Sequence, residues 1–233
     1  MRSRNPKCEA RTRRRAICVL LLCASLCAVR AAAASGATDS AGDVIECANL
    51  IYAGTKSSVC FSEEFLTAVA ADTSIKTSRK FKPVKLAEAE VFHYPFVVMT
   101  GEGAFTLTDE ERKNLKAYLE KGGFLLASAG CSSKEWCSSF EREMQQIFPE
   151  RKIEPLAKEH PVFHTVHDIA RLQTKAADAQ LRGLSIGGKT VVIYSPDGLN
   201  DTGTMHGCCC CGGNEIQNSR QVNANILAYA LLQ

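Results

Sequence analysis

Between Pro95 and Ser128 the chain spells out a strand, a helix and a second strand with almost nothing in between. PFVVMTGEG is a continuous apolar run that stops at glycine, the pattern of a strand buried on both faces. LTDEERKNLKAYLEKGG follows. Thr108 and Glu111 stand at capping-box spacing, Leu115, Tyr118 and Leu119 give one apolar face, and Gly122-Gly123 stops the helix. FLLAS then resumes as a buried strand. A strand buried on both sides needs a layer on each, which confines the chain to an α/β architecture.

The same alternation runs through the rest. VIECANLIYAG (Val44–Gly54) reads as a strand and SEEFLTAVAAD (Ser62–Asp72) as a helix with Phe65, Leu66 and Val69 on one face. Ser132 and Glu135 form a second capping-box pattern before Trp136, Phe140, Met144 and Phe148, which recur at four-residue steps until Pro149. IEPL (Ile153–Leu156) reads as a short strand, TVVIYSPDG (Thr190–Gly198) as a buried one and QVNANILAYALL (Gln221–Leu232) as a closing helix. The expectation is one domain over 44–233, with a mainly parallel sheet and helices on both faces. Ligands of such sheets sit at the C-terminal strand ends, here Tyr52–Ser57, Thr100–Gly103, Ser128–Ser133 and Ser195–Asn200.

The N-terminus predicts export. Seven basic residues and one acid precede Ala16–Val29, a run of 14 residues without charge, and AAAAS follows Arg30. A basic region, a short apolar core and an A-x-A site make a signal peptide over 1–34, with 35–43 as a polar tether. The apolar run falls short of the roughly 20 residues a membrane span needs, so no stable transmembrane span is expected after cleavage. The chain's net charge of +3 belongs to this segment. Without it 20 basic residues face 24 acidic ones, a net of −4. Nothing in the remainder reads as a nucleic-acid patch. The predicted location is periplasmic or otherwise extracytoplasmic.

Twelve cysteines include four in the signal segment. The other eight are Cys47, Cys60, Cys131, Cys137 and the run Cys208–Cys211, within HGCCCCGGNEI. Neighbouring Cα atoms 3.8 Å apart are too close for an unstrained disulfide, and neighbours in an extended segment point to opposite sides. Run cysteines therefore need partners from elsewhere. Disulfides, a zinc or other soft-metal site, and free or redox-active thiols all stay open. A metal set would draw on Cys60, Cys131, Cys208 and Cys210, with His164 and His206 as imidazole donors. Gly212-Gly213 allows a close backbone approach or a turn, and Asn214 and Glu215 are placed to hydrogen-bond the loop.

The unit TGEGAFTLTDEERKNLKAYLEKGGFLLASAGC resembles the strand–helix–GG–strand unit of ThuA-like and class I glutamine amidotransferase-like domains, and HPVF at His160–Phe163 resembles a segment ThuA-like domains carry. GTKSSVCFS, GCSSKEW, HPVFHTV, DGLND and GCCCCGGNEI together resemble the bacterial family designated domain of unknown function 4159, from about Val44 to the C-terminus. The resemblance implies a three-layer, flavodoxin-like, amidotransferase-like fold and no particular activity.

Cys131 stands where that fold puts a nucleophile, between a buried strand and a capped helix. The amidotransferase pattern is not complete: SAGCSS lacks a glycine two residues after Cys131, and no His-x-Glu exists. Cys131 is a candidate nucleophile and equally a turn residue. Thr55, Lys56, Ser57, Glu102, Ser128, Ser132, Asp197, Asn200 and Asp201 are candidate ligand-binding loop residues, although GEG and DGLND also suit plain turns. His160, His164 and His167 lie close in sequence; His164 and His167 share a face only if that stretch is helical. The expected function is a module binding a small molecule or a protein partner. The alternatives are an enzyme using Cys131 or a cysteine-bound metal, and a disulfide-stapled envelope protein.

Overall fold

The computed structural model describes residues 44–54, 61–175, 177–201 and 213–233. The signal segment, the tether, Thr55, Lys56, Ser57, Cys60, His206 and the run Cys208–Cys211 lie outside the described residues.

Seven strands form one sheet in the order β2-β1-β3-β4-β7-β6-β5. Strands β1 (Cys47–Ile51), β2 (Lys82–Lys85), β3 (Phe96–Gly101), β4 (Phe124–Ala129) and β7 (Lys189–Ser195) run parallel. β6 (Arg182–Ile186) and the two-residue β5 (Glu154–Pro155) are antiparallel. β3 and β4 are buried along their whole length, as their unbroken apolar runs require.

The strands send alternate side chains to opposite layers. Val97, Met99, Leu125 and Ala127 meet helices α2 (Asp109–Glu120) and α3 (Lys134–Ile147). Phe96, Val98, Phe124 and Leu126 meet α1 (Glu64–Asp72) and α4 (Ser219–Leu232). The predicted α/β sheet covered on both faces is thus observed. All described residues belong to one compact unit, 39–233. Among them no helix is long and apolar enough to cross a membrane.

Local signals account for most boundaries. Thr108 Oγ1 accepts from Glu111 N–H, and Glu111 returns a carboxylate to Thr108 N–H, so the predicted capping box forms. The second does not. Ser133, one residue later, caps α3 by accepting from Trp136 N–H, because Ser132 is held in the left-handed region and bonds elsewhere. β2 and β6 carry no clear sequence signal: β2 is a four-residue edge strand with Pro83 and two exposed lysines. Gly187 and Gly188 link β6 to β7 with φ of 60° and 83°, the two-residue hairpin geometry that glycine supplies.

Glu111 does more than cap. Its Oε1 accepts from Ala53 N–H at 2.8 Å and so ties the left-handed turn after β1 to α2. Glu111→Ala removes both carboxylate bonds and strands a partly buried amide, at an expected cost of about 2 kcal/mol. Urea midpoints check this, with Glu111→Gln expected to recover only part of the loss, since its amide keeps one acceptor and turns a donor toward the other N–H.

Candidate functional site

β1 is flanked by β2 on one side and β3 on the other, so the chain leaves β1 one way and returns across it. In sheets of this class, connections that diverge at such a point leave a crevice at the C-terminal strand ends. Three described segments meet there. β3 delivers Glu102, β4 runs through Gly130–Ser132 into α3, and β7 runs on through Asp197 to Asp201.

Cys131 occupies the β4–α3 turn at φ 49° and ψ 30°, and Ser132 follows at φ 53°. Left-handed backbone costs a non-glycine residue about 1–2 kcal/mol, so the surroundings must hold both residues there. The Cys131 thiol donates to Glu102 Oε1 at 3.4 Å, and its backbone N–H donates to Glu215 Oε1 at 3.2 Å. Two carboxylates from distant segments therefore clamp one turn. Ser132 Oγ donates to the Asp197 carbonyl at 2.6 Å and accepts from Asn214 N–H at 2.8 Å.

Beneath them Asn200 is fully buried. Its Oδ1 accepts from Thr100 Oγ1 at 3.3 Å and Ser128 Oγ at 3.2 Å. Its Nδ2 donates to Glu215 Oε1 at 2.6 Å and to the Ala129 carbonyl at 3.3 Å. Asn200 and Ser128 were candidate ligand-binding residues; the structure puts them under the surface, where they orient Glu215. Trp136 Nε1 donates to Tyr52 Oη at 2.7 Å, and Tyr52 Oη donates to the Thr100 carbonyl at 3.0 Å. Burial pushes the Tyr52 phenol up to about 12. This chain joins α3, β1 and β3 below the crevice.

The segment Gly213–Glu215 straps the site shut on one side. Asn214 Nδ2 donates to Asp197 Oδ1 and to the Ala177 carbonyl, both at 3.0 Å. The expected loop bonds of Asn214 and Glu215 are thus present, and sequence alone did not show that their target is the Cys131 turn. Asp201 faces Arg220, whose Nε donates to Oδ2 at 3.0 Å while the guanidinium also bonds Glu64. Burial still raises the Asp201 carboxyl, against the lowering pull of Arg220.

The histidines go elsewhere. Residues 161–163 form one 3-10 turn led by Pro161, and His164 and His167 share no helix. His164 puts Nδ1 on Asp168 at 2.6 Å and Nε2 on the Lys158 carbonyl at 2.9 Å. Two acceptors call for two N–H groups, and the Lys158 carbonyl followed by Asp168 raises this imidazole toward its charged form. His160 packs on Tyr229 and is lowered by burial, and His167 lies 3.4 Å from Asp72. Among the described residues no three His, Cys, Asp or Glu side chains converge as a metal-ligand set. The rest of the proposed zinc or soft-metal set, Cys60, Cys208, Cys210 and His206, falls outside them.

Cys47 and Cys137 are free thiols. Burial pushes Cys47 up to about 12, marking it as a core residue, and raises the Cys137 thiol beside the Pro196 carbonyl. GLSIGGKT, Gly183–Thr190, has the spacing of a phosphate-binding loop and contains G-x-S-x-G. Both motifs require a strand leading into a helix. Here the stretch is the β6–β7 hairpin, with Ser185 Oγ 3.2 Å from Thr190 Oγ1, so neither reading holds.

The arrangement at Cys131 is a hydrogen-bonding surface: one thiol, three carboxylates at Glu102, Asp197 and Glu215, and the amide of Asn214. No curated protein matches the chain. The family described as Domain of unknown function (DUF4159) matches residues 47–231, nearly the whole described fold and every strand of the crevice, and the chain belongs to that family.

Proposed function

We propose that this protein is an exported binding module whose ligand lies in the crevice over Glu102, Cys131 and Glu215. The parallel order β2-β1-β3-β4-β7 agrees with a flavodoxin-like, class I amidotransferase-like sheet, where ligands take this edge. The observation that carries the reading is the partner of the thiol. Cys131 gives its hydrogen to a carboxylate, Glu102; of the four described histidines, His160, His164 and His167 are engaged elsewhere and His93 lies just ahead of β3, at the opposite strand end. A thiolate in this position would face a like charge at contact distance. The site is instead rich in acceptors, which suits a ligand bearing hydroxyl or ammonium groups, such as an amino sugar.

A thiol-dependent enzyme is the second reading, favoured by one feature, the strained elbow at Cys131 and Ser132. One experiment separates them. Alkylation of Cys131 by iodoacetamide, followed by peptide mass mapping, is expected to be slow at neutral pH and slowed further by glucosamine oligomers. Glu102→Gln is expected to abolish that protection and to speed alkylation ~3–10-fold, since the like charge beside the thiolate is removed. Fast alkylation of the unaltered protein, with no sugar protection, overturns the binding reading in favour of the nucleophile.

A further inference from the structure

The opposite end of the sheet carries a charge pattern that runs against the rest of the molecule. From Lys76 to Leu86 the chain places five basic residues, Lys76, Arg79, Lys80, Lys82 and Lys85, and no acid. All five are exposed. Lys82 pairs with Glu46 at 3.6 Å and Lys85 with Glu88 at 2.9 Å. Lys76, Arg79 and Lys80 make no ion pair among the described residues. The acids packed nearby are already turned to other partners: Glu63 accepts from Phe81 N–H, and Asp72 faces His167.

The turn that presents these three cations is held at both ends. Thr77 is buried and donates to the Leu66 carbonyl at 3.1 Å, and Ser78 Oγ closes on Lys80 by donating to its carbonyl at 2.6 Å. The chain also enters the fold here. Ile45 pairs with Thr77, its N–H donating to the Lys76 carbonyl and its own carbonyl accepting from Ser78 N–H. Val44, just before it, is 57% exposed, one of two large apolar side chains left in water among the described residues. Fixed cations and an exposed apolar residue coincide at one place, at the N-terminal end of the strands.

We propose that this basic edge docks on an anionic phospholipid surface, leaving the crevice over Cys131 at the far strand ends facing away from the bilayer. Headgroup phosphates would take Lys76, Arg79 and Lys80, and Val44 would enter the interfacial layer. Each fixed basic residue near an anionic surface strengthens binding several-fold, and salt weakens it. An anionic glycan could offer similar charge, but it gives no role to the exposed Val44.

The test uses the chain from Ser35 on, the form left by the expected signal cleavage, with vesicles of phosphatidylcholine alone or mixed with phosphatidylglycerol. Lysine acylation is read by mass spectrometry. Lys76 and Lys80 are expected to be protected by the mixed vesicles at low salt, and not by the neutral ones. Lys134, at the crevice end, is expected to label equally in both. Changing Lys76, Arg79 and Lys80 to glutamate, exposed positions where a thermal melt verifies folding, is expected to weaken the phosphatidylglycerol-dependent binding about tenfold or more. Equal protection by neutral vesicles, or no protection by either, overturns the proposal. So does unchanged binding by the triple variant, or protection by an acidic polysaccharide where the mixed vesicles give none.

Discussion

Asn200→Leu is expected to destabilise the protein by about 3–5 kcal/mol, because it strands several buried polar groups at once and a buried unsatisfied group costs about 1–3 kcal/mol. Leucine keeps the branched outline, but its methyl groups are bulkier than the amide, so overpacking at this fully buried position adds to the loss. What it removes is one acceptor shared by Thr100 and Ser128 and one donor shared by Ala129 and Glu215. The hydroxyls can rotate toward other carbonyls, and the Ala129 carbonyl cannot move. Asn200→Asp keeps the acceptor, but it aims a second oxygen at two acceptors and is expected to be no better at neutral pH. Urea unfolding measures both. A leucine variant as stable as the parent would show that the site does not depend on these hydrogen bonds. The effect should also reach the surface. Glu215 loses its buried partner, and the Cys131 amide then loses a positioned acceptor.

That chain of dependence marks where sequence reading stops. Strands β3 and β4 were legible because unbroken apolar runs ending at glycine have few alternatives in a chain with capped helices between them. Helix α2 was legible because Thr108 and Glu111 stand three apart and can serve each other locally. The Ser132–Glu135 pattern has the same spacing and gave the wrong cap, because a distant segment, Asp197 and Asn214, claims Ser132 and leaves Ser133 to cap α3. β2 and β6 were not legible: an edge strand of four residues and an antiparallel strand interrupted by a register shift have weak periodicity. The loop ends were legible as a place. The partner of Cys131 was not, since a thiol at an elbow looks the same in sequence whether a histidine or a carboxylate faces it.

Gly213→Ala is expected to free the strap from the Cys131 turn, at a cost of about 2–3 kcal/mol, and to speed alkylation of Cys131 several-fold. A Cβ on residue 213 would lie 2.5 Å from the Cys131 carbonyl carbon, 2.6 Å from its oxygen and 2.6 Å from Ser132 Oγ. Two of these atoms are backbone in a turn already held in the left-handed region, so the strap must move instead. Its retreat would break the Asn214 bonds to Ser132 and Asp197 and carry Glu215 away from the Cys131 amide. Gly187→Ala is the control. It sits at φ 60° with nothing within 4 Å of the new carbon, so it carries only backbone strain of about 1–2 kcal/mol and leaves Cys131 reactivity unchanged. The requirement at Gly213 is space, since its Cβ would overlap the backbone of the Cys131 turn. If both alanine variants lose equal stability and neither alters the thiol, the strap does not shape the site. If only Gly213→Ala exposes Cys131, the second glycine of the CCCCGG segment is what lets chain and elbow meet, and the crevice is a device of at least two distant segments.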